Sequence, residues 1–229
     1  MTILVNSTAP KEFQIFNNYI HPNIASIVIK LFRSPEIQRL SVLTEDNPYH
    51  YSENVLDHVQ IVFANCQELL KFEFIRSEEL RKNYLFYFNE VLDIKGQYKR
   101  NDLLFLASAV HDVGKGLKDE QGTSIAPGHE HRGAMIVPSL LQNFDLTSVE
   151  ISIVQTLVDL HDTFNEIFCR ANLTREPEKD ILLIRQRQPL FYVELLLHIL
   201  SDNAGVEIYR QWFEYFKNEI LQRNDFLKI

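Results

Sequence analysis

The run Leu103-Leu104-Phe105-Leu106-Ala107-Ser108-Ala109-Val110 offers no polar face at helical spacing, and it ends abruptly on His111 and Asp112 before Gly114. A helix that is apolar all round is stable only when other elements surround it. The pattern therefore predicts a central helix from Asp102 to Asp112. It also places an imidazole and a carboxylate at the end of a buried element, where an ionised carboxylate is costly unless it is paired or holds a metal. The pair asks for a cation and for further ligands elsewhere in the chain.

The 229-residue chain carries only 7 Gly and 8 Pro, and its apolar residues recur at three-to-four spacing instead of alternating. This predicts an all-α fold, a single-domain helical bundle over 1–229. Ile24, Ile27, Val28 and Leu31 form one stripe, closed by Ser34-Pro35. Val55, Val59, Val62, Phe63 and Cys66 form a second after the loop TEDNPYHYSEN, with Ser52 as its expected cap. Leu85, Phe88 and Leu92 line a third that stops near Gly96. Further helices are expected from Arg132 to Gln142, Val149 to Asp162 and Pro189 to Asn203, then an amphipathic closing helix with Val206, Tyr209, Trp212, Phe213, Phe216 and Ile220. Residues 1–45 read as an N-terminal helical segment, 46–205 as the core and 206–229 as a C-terminal packing helix. The polar loop after Lys115 is long enough to be functional, and the charged stretch Phe168 to Gln188 reads as a lid or insertion.

A net charge of -8 and a pI near 5.5 argue against a broad duplex-binding face or an anionic membrane surface, both of which need a dominant Lys and Arg field. The start MTILVNSTAPKEF has no basic segment followed by a long apolar one, and no window reaches the roughly 18 apolar residues of a membrane span. A soluble, cytoplasmic protein with a small-molecule partner is expected. Cys66 and Cys169 make no CxxC pair and read as reduced packing residues.

Several polar residues fall on apolar stripes. His58 lies three after Val55 and four before Val62; His161 follows Val154, Leu157 and Val158 at helical spacing; Asp202 comes three after Ile199 and seven after Leu195. His111 sits beside the small residues Ala107 and Ser108. One inward histidine is ordinarily a hydrogen-bonded core residue. Four inward imidazoles and carboxylates on four separate helices would each cost several kcal/mol if unpaired, and a shared metal satisfies them together.

The order His58, His111-Asp112, Asp202 resembles the signature of the HD superfamily of metal-dependent phosphohydrolases. NPYHYSENVLDH, AVHDVGKG, GHEHRGA and LVDLHD are similar to segments of the HD domains attached to bacterial CCA-adding tRNA nucleotidyltransferases, from about Asn47 to Asp202. With no GxxxxGK[ST] phosphate loop and no nucleotidyltransferase part, the chain resembles a free-standing HD domain. The resemblance implies a first metal on His58, His111, Asp112 and Asp202, and a second bridged by Asp112 and held by His129 and His161. His131 is the rival of His129, two residues later, and His198, four before Asp202, reads as a core or supporting imidazole. Such an N and O ligand set suits two divalent ions, among Mn, Fe, Co, Ni, Zn or Mg, without choosing between them.

The implied activity is hydrolysis of a phosphomonoester or phosphodiester in a small phosphorylated molecule, a nucleotide, by metal-activated water. Asp112 and Lys115 would be catalytic; Lys115, Arg132 and His50 would contact the substrate; Tyr49 and Glu53 would rim the pocket; Glu130 and Asp162 would support the second-metal histidines. Two other readings share these residues. One is a di-iron oxygenase on the same His-rich set, and the other a catalytically silent nucleotide-binding regulatory module.

Overall fold

The computed structural model describes residues 21–47, 50–117, 128–169, 182, 184–204, 210–223 and 225–227, with the backbone alone at 45–47, 50–53, 163–169 and 211–212. Expectations for residues 1–20, the side chains of Tyr49, His50, Ser52, Glu53, Cys169 and Trp212, the loop 118–127, most of the charged stretch after Phe168, and Val206 and Tyr209 lie outside the described residues.

The fold is an all-α bundle. Its elements are α1 (Pro22–Phe32), α2 (Pro35–Gln38), a tight turn Arg39–Val42, a hairpin of β1 (Thr44–Asn47) and β2 (His50–Asn54), α3 (Val55–Leu69), α4 (Glu78–Phe88) and α5 (Arg100–Val110). A 3-10 turn Val113–Gly116 follows, then α6 (His129–Leu141), α7 (Ser148–Cys169), α8 (Tyr192–Asn203), α9 (Arg210–Tyr215) and a widened turn Phe216–Ile220. No helix among the described residues is long and apolar enough to cross a membrane.

Every residue of α5 is buried, and α1, α3, α4, α7 and α8 all pack against it, as an apolar-all-round sequence requires. α5 and α8 run in the same direction: Arg100 meets Glu194 near their starts, and His111 comes within 3.8 Å of Asp202 near their ends. α7 is parallel to them, since Glu150 accepts from the backbone N–H groups of Gln97 and Tyr98 while His161 stands beside His111. Polar side chains from the ends of α5 and α8 and from the middle of the longer α7 are thus gathered in one region of the bundle.

The other end is held by buried charge. Arg100 Nη1 donates to Glu194 Oε1 at 2.6 Å and its Nε to Glu90 at 2.8 Å, while the guanidinium lies 4.3 Å over the Tyr87 ring. The Tyr87 hydroxyl donates to the other Glu194 oxygen at 3.0 Å. Burial pushes the Glu194 carboxyl up despite Arg100 beside it.

Several boundaries differ from the sequence expectation, each for a local reason. Within the segment read as a loop, Thr44–Asn47 and His50–Asn54 pair as antiparallel strands, with Asn47 opposite His50. The cap of α3 is Asn54, whose side chain accepts from the Asp57 N–H at 2.9 Å, and not Ser52, which lies in β2. α4 ends at Phe88, so Leu92 packs against the core from beyond the helix. α5 stops at Val110, leaving His111 as its last cap residue and Asp112 at the start of the following turn. α6 begins at His129 instead of Arg132, after Gly128 takes a left-handed φ of 74°. α7 runs past Asp162 to Cys169, and α8 starts at Tyr192 instead of Pro189. The closing segment is broken after Tyr215 by the widened turn, on which Phe216 and Ile220 are buried.

Candidate metal centre

His58 is in the first turn of α3, His111 and Asp112 follow the last turn of α5, and His129 is the first residue of α6. His161 projects from α7 and Asp202 from the last turn of α8. These six side chains meet as two trios that could each hold a metal ion: His58, His111 and Asp202, then Asp112, His129 and His161. Within the first, His58 Nε2 lies 2.8 Å from Asp202 Oδ1. Within the second, His129 Nε2 lies 3.2 Å from His161 Nε2.

Asp112 connects them. Its Oδ1 is 3.0 Å from His129 Nε2 and 3.8 Å from His161 Nε2, whereas its Oδ2 is 3.4 Å from His111 Nε2 and 3.8 Å from His58 Nε2. One carboxylate oxygen therefore faces each trio.

The tautomers of two imidazoles follow from their backbone partners. His111 Nδ1 lies 2.9 Å from the Ser108 carbonyl and His161 Nδ1 2.6 Å from the Val158 carbonyl, three residues back in each case. A carbonyl only accepts, so each Nδ1 carries a proton and each Nε2 is turned toward its trio. Lys115 Nζ stands 3.0 Å from Asp112 Oδ2, an ion-pair distance. Both His111 Nε2 and Asp112 Oδ2 remain buried without a hydrogen-bond partner. Two such atoms 3.4 Å apart in a buried site, with the Lys115 ammonium 3.0 Å from one of them, form a donor set that could hold a metal ion.

Electrostatics agree with that arrangement at Asp112, Asp202 and His161 but not at His129. Burial alone would raise the Asp112 carboxyl, but Lys115 and the imidazoles of His111 and His129 outweigh it and hold the group well below the usual carboxylate range. Asp202 is likewise held low against its burial by His58 and His111. His161 is lowered to about 4, first by burial and then by His129 and His111. Burial opposes protonation of His129 too, yet its hydrogen bond to Asp112 leaves it raised. Metal ligation needs charged carboxylates and neutral imidazoles; Asp112, Asp202 and His161 are shifted in that direction, whereas the hydrogen bond to Asp112 shifts His129 the other way.

His129 and His131 diverge. His131 is 73% exposed and its Nδ1 pairs with Asp159 on the surface, 3.0 Å away. On the other side of His129, Nδ1 faces Glu130 Oε2 at 3.5 Å and Asp162 Oδ2 at 4.0 Å. These carboxylates flank His129 at ion-pair distance, farther than the backbone carbonyls that hydrogen-bond His111 and His161.

Gly114 explains why the turn after Asp112 can reach α6. A Cβ there would lie 2.0 Å from the His129 carbonyl oxygen and 2.5 Å from the Gly133 nitrogen, both backbone atoms that cannot swing aside. Gly114→Ala is expected to lower stability by about 1–3 kcal/mol through overpacking and to move His129 away from Asp112. Metal titration should then show weakened binding at the second trio with the first retained; equal affinities at both would refute this account of Gly114.

The remaining site residues are placed as follows. Lys115 is buried, not a solvated loop charge, and Arg132 is half-buried in the first turn of α6 with its guanidinium folded back toward Gly128. Cys66 is buried as a free thiol, pushed up to about 11 chiefly by burial. Sequence reading took Ser108 only as a small residue leaving room beside His111; its carbonyl orients His111 and its hydroxyl lies 3.1 Å from His198 Nδ1. The three-residue spacing from Ser108 to His111 was its only signal.

Comparison of the sequence with protein-family models gives no match, and comparison with curated proteins gives none at a significant level. Fold and site together define a class: an all-α bundle with a buried His/Asp centre that could hold a metal ion.

Proposed function

We propose that the chain is a free-standing phosphohydrolase of the HD type, using two divalent ions to cleave a phosphomonoester or phosphodiester in a small molecule such as a nucleotide. The observation that carries this reading is the Asp112 carboxylate, with one oxygen toward each trio of potential ligands. Ions held there would supply a hydroxide near neutral pH and neutralise charge on the phosphate oxygens. Asp112 fixes the relative position of the two trios and orients the attacking water by accepting its hydrogen bond. Lys115, buried beside Asp112, turns its ammonium to a phosphate oxygen as a point charge once Asp112 is engaged. Arg132 at the start of α6 offers a second cation for the same anion.

Elemental analysis of the purified protein, followed by a panel of phosphomonoesters, phosphodiesters and nucleotides assayed anaerobically with Mn or Co, tests the proposal. Phosphate release that disappears after dialysis against a strong chelator is the expected result. Oxygen uptake by an iron-loaded protein without phosphate release would assign it to the oxygenases. A nucleotide-induced rise in Tm with no turnover under saturating metal would make it a binding module.

A further inference from the structure

We propose that His198 is a positioning residue that fixes the two halves of the metal centre relative to one another, an inference that rests on the two-ion reading above. His198 lies on α8 one turn before Asp202 and is 2% exposed. Its ring meets His111 at 5.0 Å between centroids with planes at 71°, and His161 at 5.6 Å and 86°. Those two rings belong to different trios and are themselves 5.2 Å apart at 83°. The three imidazoles, from the C-terminal cap of α5 and from α7 and α8, form a triangle of mutually steep rings.

Ser108 locks this triangle. Its hydroxyl meets His198 Nδ1 and its carbonyl accepts from His111 Nδ1, so a single residue sets the rotation of both rings. His198 Nε2 is buried with no hydrogen-bond partner. Leaving such a group unsatisfied costs about 1–3 kcal/mol, which an apolar side chain of similar volume would not incur. Filling space therefore does not account for an imidazole here; holding a fixed ring orientation through Ser108 does. Rotation of His198 about its side-chain bonds would let His111 and His161 shift independently, and a site spanning both trios tolerates little of that.

The test uses the full chain and Co(II) alone. His198→Phe keeps a ring of similar size but loses the bond to Ser108, and Ser108→Ala removes the hydroxyl while leaving the carbonyl on His111. Wild-type protein should bind two equivalents of Co(II). Both variants should keep wild-type helicity and a Tm within a few degrees of it, yet bind Co(II) about 10–100-fold more weakly, the usual loss for a residue supporting a ligand, with an altered visible spectrum. Wild-type affinity and spectrum in Ser108→Ala and in a folded His198→Phe would overturn the positioning role. Should His198→Phe fail to fold, Ser108→Ala decides by the same criterion. Wild-type protein that binds no Co(II) would instead overturn the two-ion reading, a result separable from any effect of His198.

Discussion

On the two-ion phosphohydrolase reading proposed above, Asp112→Asn is expected to strip divalent metal from the purified protein and to abolish phosphoester hydrolysis with it. The substitution is nearly isosteric, so the end of α5 and the turn after it have no steric reason to move. It replaces one ligating oxygen by an amide NH2, which donates and cannot coordinate a cation, and it removes the charge. Because each oxygen faces a different trio, either orientation of the amide disables one of them directly, and the lost charge weakens the other. His161→Ala provides the comparison, since it removes a ligand of the second trio alone and should leave the first occupied. Elemental analysis with circular dichroism on both variants separates metal loss from unfolding. Wild-type metal content in folded Asp112→Asn protein would remove the basis of the site assignment.

Arg100→Ala is expected to be the most destabilising single change away from the centre. It would leave Glu194 buried without its guanidinium partner and deprive the Tyr87 hydroxyl and the Leu190 carbonyl of a donor. Breaking a buried pair on one side costs about 3–5 kcal/mol, a large part of a total stability of roughly 5–15 kcal/mol. At this chain length the loss corresponds to a fall in Tm on the order of 10 °C. The deficit should depend on pH in a definite sense. With its folded pKa raised, Glu194 burdens the native state only where it is ionised, so the penalty is absent below its ordinary value of 4.5 and grows as pH rises through the folded value. Thermal melts of the variant should therefore approach wild type toward acid pH. The double change Arg100→Met with Glu194→Leu, which replaces both partners by apolar groups, should recover most of the loss. An unchanged Tm in Arg100→Ala at pH 7 would show that the clamp contributes nothing.

Much of the architecture was legible because periodicity is a local property. The stripe Ile24, Ile27, Val28 and Leu31 is buried in α1, and the run Leu103 to Val110 is enclosed on every side. His58, His161 and His198 are buried because they share helical spacing with apolar neighbours. Ends of elements were less legible, since they depend on which of several competent residues caps and on what the chain meets next. Asn54, Ser52 and Glu53 are all polar candidates before Val55, and the pairing of β2 with β1 left Asn54 at the helix start. The start of α6 at His129 depends on Gly128 taking a conformation that few other residues adopt readily.

The candidate centre divides in the same way. Inward orientation of His58, His111, His161 and Asp202 follows from the sequence, because a polar side chain on a buried stripe has nowhere else to point. Burial of His129 and exposure of His131 does not, since residues two apart on a helix face nearly opposite sides and only the seating of α6 on Gly114 selects between them. Nor could spacing reveal that Lys115 pairs with Asp112, or that His198 touches one ring from each trio. By itself the sequence determined an all-helical chain with a polar pair at the end of its most buried helix, through the requirement that apolar surface leave water. Only the tertiary structure decided that the two oxygens of Asp112 face different trios, because that depends on how five helices meet at one end of the bundle, over separations that no local pattern spans.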